Sequence, residues 1–251
     1  MDTKRVNEDV KILAQSLPDI SYYSRTVTYG EEYDLVQRYL NFLIKKYKQR
    51  TKTKTLIFLE PQLETGYPDI VIVEYFFPKG FSFVDDQVRF SLNELKILFH
   101  IQTKRYVIVD ELLSQLGYSK EFVEATIEKL LWAKLIYKNK DGKAVRCVSL
   151  KKYFPIRKII AIEAKMNKWG EAIKQANMNT WFSTESYILL NRSCCSPKIK
   201  DRCKRDGLGI ILLNGDIHTE LIAEKRKLPV SYASFQFNEW LRRYYYKELE
   251  E

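Results

Sequence analysis

Two short segments of this sequence place charged residues where the interior of a β-sheet normally excludes them. The first, residues 66–73, contains Asp69, and the second, residues 159–165, contains Glu163 and Lys165. Both are predicted to be buried strands because apolar and β-branched residues dominate them. Since Asp, Glu and Lys are almost never fully buried unless they are paired or bound to a metal, the two segments indicate a built site.

The spacing of Glu163 and Lys165 predicts that their side chains lie on one face of a strand, about 7 Å apart. Two carboxylates and one ammonium group meet the needs of phosphodiester hydrolysis: oxygen ligands for Mg²⁺, a positioned water and positive charge near the developing oxyanion. We therefore expect Asp69, Glu163 and Lys165 to form one site that uses Mg²⁺ or Mn²⁺. A salt bridge between Glu163 and Lys165 on an edge strand is the alternative interpretation.

The order Pro68-Asp69 followed by Glu163-Ala164-Lys165 resembles the motif of the PD-(D/E)xK nuclease superfamily. The resemblance covers roughly residues 25–78 and 153–223. It implies an α/β fold of the restriction-endonuclease-like type, in which helices flank a mixed sheet. It also implies that Asp69, Glu163 and the carbonyl of Ala164 bind metal, and that Lys165 orients the water or stabilises the transition state.

Two further residues match positions of that family. Glu32 resembles the acid of the first core helix, predicted here at residues 31–47, although an acid at that end could equally pair with the helix dipole. Gln175, on a helix predicted at residues 168–177, resembles the inward-facing Gln that often follows the motif strand. The family often has an aromatic residue four positions later, where this chain has Asn179.

The stretch between Asp69 and Glu163 is longer than the connection usual in that family, and its pattern differs from that of the flanking sequence. Three predicted helices precede a hairpin with an Asp141-Gly142 turn, an arrangement that resembles a winged helix-turn-helix domain. We therefore predict a discontinuous core, 1–80 and 151–251, and an inserted winged-helix domain, 88–150. The three helices are predicted at residues 91–101, 109–116 and 119–135.

The predicted third helix of the inserted domain is poorly suited to reading bases, because the acids Glu121, Glu124 and Glu128 on its outward face repel phosphate. The wing is the better candidate for binding the DNA backbone, which positions a duplex without reading its sequence. Packing or protein contact is the alternative role for the domain. The wing residues expected to bind nucleic acid are Lys138, Lys140, Lys143 and Arg146.

Outside the motif, the apolar residues between Val6 and Leu17 recur at helical spacing and predict a first helix that ends before Pro18. Residues 55–59 and 70–77 are predicted to form a hairpin. After residue 158, strands alternate with helices, one of them at residues 197–205, as in an α/β layer. A terminal helix is predicted at residues 235–249.

The charge balance favours a polyanionic partner. The chain has 42 Lys and Arg against 32 Asp and Glu, a net charge of +10, and residues 45–54 contain six positive charges and no acid. Four cysteines without Cys-x-x-Cys spacing and only two histidines argue against a zinc site and predict free thiols. Since no segment has about 20 consecutive apolar residues, we expect a soluble, cytoplasmic protein without a membrane partner.

These observations together predict a metal-dependent endonuclease acting on DNA, expected to be double-stranded. A homodimer is compatible with this function, because cutting both strands requires two sites. Two alternatives stay open at this stage: an RNA nuclease, and a non-catalytic DNA-binding regulator that uses a nuclease-like core as a scaffold.

Overall fold

The computed structural model describes residues 10–47, 53–79, 81, 84, 87–104 and 106–250. The chain divides into two compact units, one within Met1–Phe76 and Ile156–Val230 and the other within Phe77–Pro155 and Ser231–Glu251. The strands are β1 (Val10–Leu13), β2 (Lys54–Leu59), β3 (Ile70–Tyr75), β4 (Val107–Ile108), β5 (Ile136–Lys138), β6 (Ala144–Cys147), β7 (Ile156–Lys165), β8 (Glu185–Leu190), β9 (Gly209–Asn214) and β10 (Asp216–Leu221). The helices are α1 (Glu31–Tyr47), α2 (Leu92–Thr103), α3 (Val109–Leu116), α4 (Lys120–Trp132), α5 (Trp169–Asn179), α6 (Pro197–Arg205) and α7 (Tyr232–Glu250).

The first unit is built on a mixed seven-stranded sheet in the order β1-β2-β3-β7-β8-β9-β10. Strands β2, β3 and β7 are antiparallel neighbours, whereas β7, β8 and β9 run parallel. The predicted hairpin of β2 and β3 is confirmed. The α/β class predicted from the sequence is also confirmed, since helices flank this mixed sheet.

Two apolar cores cover the two faces of this sheet. On one face, α1 contributes Leu35 and Leu43 to a cluster that includes Ile162 and Ala164 of β7. On the other face, residues of α5 and α6 pack with β8 and β9. Because side chains alternate along a strand, the face opposite Ile162 and Ala164 is the one that receives Glu163.

The first predicted helix is wrong where the structure describes it. Residues 10–13 form the edge strand β1, which pairs in parallel with Thr55–Phe58 of β2. The helical spacing of Val10, Leu13 and Leu17 is a local pattern. It does not predict β1, because the hydrogen-bond partners of this strand lie more than 40 residues further along the chain. The part of the prediction before residue 10 lies outside the described residues.

The second unit contains α2, α3 and α4, the terminal helix α7 and a three-stranded antiparallel sheet in the order β4-β6-β5. The three helices and the β5–β6 hairpin occur where the sequence predicts them, and β4 is an additional strand. Helix α7, expected in the discontinuous core as part of residues 151–251, instead packs against α2 of this unit. No helix among the described residues has the length and apolarity needed to cross a membrane.

Candidate active site

Asp69 precedes β3 and is held against β7 by the main chain. The backbone N–H of Ala164 donates a hydrogen bond of 2.7 Å to Oδ2 of Asp69. In the antiparallel register, Ile70 lies opposite Ile162, so the next residue pair along the two strands is Asp69 and Glu163. The sheet therefore brings together two carboxylates that are 94 positions apart in the sequence.

Glu163 is the most deeply buried acid of this site, with 2% of its surface exposed. Its Oε1 accepts a hydrogen bond of 2.6 Å from Nδ2 of Asn179 on α5. Burial and the nearby charge of Asp69 hold the pKa of Glu163 well above its ordinary value. Burial also raises the pKa of Asp69, although Lys165 and the Ala164 N–H partly oppose that shift.

Lys165 ends β7 and pairs with Glu32 of α1, their Nζ and Oε2 atoms lying 2.8 Å apart. The Lys165 side chain is 12% exposed and that of Glu32 is 48% exposed. Burial alone would lower the pKa of Lys165, but Asp69 and Glu32 outweigh it and the net pKa is raised. Lys165 is therefore a cation at neutral pH. The alternative of a salt bridge between Glu163 and Lys165 on an edge strand is wrong, because β7 lies inside the sheet and Lys165 pairs with Glu32.

Two clefts border this site. Asp69, Lys165 and Glu32 line a cleft of about 490 Å³, together with residues of the segment that precedes α1. Glu163 lines a second cleft, of about 430 Å³, with Gln175 and Asn179. Each of the two carboxylates therefore borders a cleft.

Gln175 and Ala164, the other predicted residues of this site, are less directly involved in it. Gln175 is exposed and lines the second cleft, while Asn179, one helical turn further along α5, makes the hydrogen bond to Glu163. Ala164 contacts the site through its N–H, and the role of its carbonyl as a metal ligand stays a prediction.

Two residues of the site were missed by the sequence interpretation. Asn179 takes a core position of α5, on the buried face that also contains Ala172 and Ala176, and a polar residue at such a position was the available signal. Glu60 follows β2, lines the first cleft and has a left-handed backbone with φ 44°. Burial and the charge of Asp69 raise the pKa of Glu60. Its left-handed backbone, its place in the cleft and its raised pKa all depend on the fold, so the sequence does not reveal them.

The predicted nucleic-acid contacts lie in the second unit. Arg146 is exposed on β6 and lies over the ring of Tyr137, 5.8 Å from its centroid. The acids on the outward face of α4, named above, are also exposed. The basic run at residues 45–54 is described only at its two ends, since residues 48–52 lie outside the described part of the chain. The exposed lysines of the predicted wing are Lys138, Lys140 and Lys143.

The donor set of the site fits a single divalent cation of the Mg²⁺ type. Among the described residues, no group of three or more His, Cys, Asp or Glu side chains could hold a metal ion. Mg²⁺, however, commonly uses one or two carboxylates and completes its coordination with water and substrate phosphate. The charge of Asp69 raises the pKa of Glu163, and a bound cation would offset the repulsion between the two carboxylates.

No family model, no curated protein and no solved structure matches the chain. The function is therefore inferred from the geometry of the site.

Proposed function

We propose that the chain is a metal-dependent DNA endonuclease with a restriction-endonuclease-like core and a winged-helix module. The observation behind this proposal is the convergence of Asp69, Glu163 and Lys165. The buried Glu163 lies next to the half-buried Asp69 across β3 and β7, a lysine whose pKa is raised lies beside them, and each acid lines a cleft. Perturbed ionisable groups that converge in a cleft are typical of catalytic sites.

The residues of the site have different roles in the proposed phosphodiester hydrolysis. Asp69 and Glu163 would hold Mg²⁺ or Mn²⁺, with Asn179 fixing the orientation of Glu163 and the Ala164 N–H fixing that of Asp69. When bound, the cation would supply Lewis-acid stabilisation of the phosphoryl oxygens and lower the pKa of water.

Lys165 acts as an electrostatic group in this proposal. An amine that stays protonated at neutral pH cannot remove a proton from water, but it stabilises the negative charge that develops on the phosphate oxygens. Glu32 holds the Lys165 ammonium group in place through the 2.8 Å ion pair. The raised pKa of Lys165 thus favours the second of the two roles considered for it, stabilisation of the transition state.

DNA is proposed as the substrate on the basis of charge. The net charge of +10 and the exposed wing lysines suit a polyanionic backbone. The acids on α4 oppose base-specific reading by that helix. We therefore propose that the wing contacts phosphate.

The experiment that tests this function incubates the full chain with supercoiled plasmid, linear duplex, single-stranded DNA and structured RNA. Each substrate is tested with Mg²⁺, Mn²⁺ or EDTA. Cleavage of DNA that requires metal and is lost in Asp69→Ala is the expected result. Metal-independent cleavage, or equal cleavage by Asp69→Ala, would contradict the proposal, and faster cutting of RNA would replace it with an RNA nuclease.

Two variants separate catalysis from a binding-only role. Lys165→Ala should abolish cleavage while DNA affinity stays close to that of the unmodified chain. Glu185→Gln is the matched control, because Glu185 is also a buried acid of the same sheet but pairs with Lys158. If no DNA is cut while the affinity for DNA is high and insensitive to Lys165→Ala, the chain is a non-catalytic binding protein.

A further inference from the structure

The cleft that contains Asp69 and Lys165 has an aromatic wall that phosphodiester chemistry does not require. Tyr29 and Tyr33 line this cleft, and their rings meet edge to face at 5.0 Å between centroids. Tyr29 is 79% exposed. Among the large hydrophobic side chains of the described residues, this is the largest exposed fraction. This wall lies in the same cleft as the residues proposed to act on phosphate.

The segment before α1 concentrates exposed apolar surface at this cleft. Val27 and Tyr29 both line the cleft, and each exposes more than 40% of its surface. Isolated exposed hydrophobic residues are ordinary, but a group of them beside polar functional residues is typical of a binding surface.

The start of this segment is fixed by hydrogen bonds. The Tyr22 hydroxyl lies within hydrogen-bond distance of the carbonyl oxygens of Leu13 and Leu59, between which its one hydrogen is shared, and the backbone N–H of Arg25 donates to the carbonyl of Glu60. Further along the chain, Tyr33 is fixed by its place in the first turn of α1. Anchors at both ends reduce the conformational entropy that the segment would lose on binding a ligand.

We propose that Tyr29, supported by Tyr33, stacks an unpaired nucleobase next to the phosphate that is cleaved. A ring can cover the face of a base only where that base is unstacked, so this contact selects single-stranded DNA or unpaired nucleotides within a duplex. The cleft volume of about 490 Å³ suits a group of the size of one nucleotide. This inference rests on the proposed nuclease function and specifies its substrate.

The test measures binding separately from cleavage. The full chain with Glu163→Gln, which should not cleave, is titrated into a fluorescein-labelled single-stranded oligonucleotide and into the matching duplex, with and without Tyr29→Ala. Because stacking on an aromatic side chain strengthens binding by about 5- to 150-fold per base, Tyr29→Ala should weaken single-strand binding by a factor in that range. Duplex affinity should stay unchanged.

Two controls identify the ring as the cause. Tyr29→Phe should retain single-strand affinity, because the phenylalanine ring still stacks. Tyr106→Ala should also leave it unchanged, because Tyr106 is another exposed tyrosine, 64% accessible, that lies in the second unit. The fluorescence of oligonucleotides that contain 2-aminopurine should be quenched by the chain with Tyr29 and by the Tyr29→Phe variant, and the quenching should be lost with Tyr29→Ala.

Unchanged single-strand affinity in Tyr29→Ala would overturn the inference, and so would an equal loss for single strand and duplex. These outcomes differ from failure of the proposed function, which appears as absence of metal-dependent cleavage by the unmodified chain. Matching circular dichroism spectra and melting temperatures of Tyr29→Ala and the unmodified chain establish that the variant is folded.

Discussion

At the scale of single residues, the surroundings of Glu163 disfavour its ionised form. Glu163 is buried beside Asp69, and an ionised carboxylate there loses its hydration while facing a second acid. Asn179 and Lys165 offset only part of this cost, because the net pKa of Glu163 stays well above its ordinary value. The proposed catalytic role of Glu163 would therefore come at the expense of stability.

Glu163→Gln should therefore stabilise the metal-free chain near neutral pH, by on the order of 1 kcal/mol. A raised folded-state pKa means that the stabilising contribution of Glu163 is complete below its unfolded pKa, near 4.5, and is lost as the pH rises through the folded value. The gain from Gln should thus vanish below about pH 4.5 and reach its full size above the folded pKa. Thermal melting across pH measures it, and a gain of equal size at every pH would contradict this assignment.

The sequence predicted Asp69, Glu163 and Lys165 because charges in apolar strands are conspicuous, and the sheet brings all three together. Asn179 and Glu60 escaped prediction for physical reasons. Asn179 matters because α5 packs its buried face on the sheet beside Glu163, which depends on tertiary packing. Glu60 joins the site because its N–H donates to the carbonyl of Asp69 across the β2–β3 connection.

At the scale of elements, prediction succeeded where the periodic signal was long. Helix α1, with 17 residues and a continuous apolar stripe, has the predicted bounds, and so does α6. The sequence prediction failed for β1, which has four residues, and it missed β4, which has two. Such short strands exist through pairing with distant partners, and local periodicity does not report on those partners.

Helix α7 shows how a buried ionic network can fix one element. Glu239 is 6% exposed and accepts hydrogen bonds from Arg242, Arg243 and the N–H of Phe90. Arg242 also donates to the carbonyl oxygens of Val84 and Val88. The network therefore ties α7 to the chain that leads into α2.

Glu239→Ala should destabilise the second unit by about 3–5 kcal/mol, because two buried guanidinium groups would lose their shared carboxylate. Glu128→Ala, which removes an exposed acid of α4, is the matched control and should change stability by less than about 0.5 kcal/mol. Chemical denaturation of the full chain, followed by circular dichroism, compares the two variants. Equal stabilities would show that the network contributes little.

At the scale of the whole molecule, we propose that the first unit carries out the chemistry and that the second contacts the DNA backbone. The wing should contribute salt-dependent affinity for duplex DNA without contributing to hydrolysis. Each phosphate contact changes the slope of log affinity against log salt concentration by about 0.9. The number of contacts can therefore be read from a salt titration.

Replacing Lys138, Lys140 and Lys143 by Ala should reduce the magnitude of that slope by about 2–3 for duplex DNA. The matched control replaces Lys104, Lys151 and Lys152, three exposed lysines of the same unit that lie outside the wing. Fluorescence anisotropy at several salt concentrations provides the slopes. Identical slopes for the wing variant and the unmodified chain would favour the alternative role of the module in protein contact or packing.

Asp69 and Glu163 are proposed to hold one divalent cation jointly. The most direct measurement is a Mn²⁺ titration of the full chain followed by electron paramagnetic resonance, which counts free and bound ion without any substrate. We predict one site in the unmodified chain and in Glu185→Gln, and a loss of affinity of at least about 10-fold in both Asp69→Asn and Glu163→Gln. Equal Mn²⁺ binding by all four proteins would contradict the account.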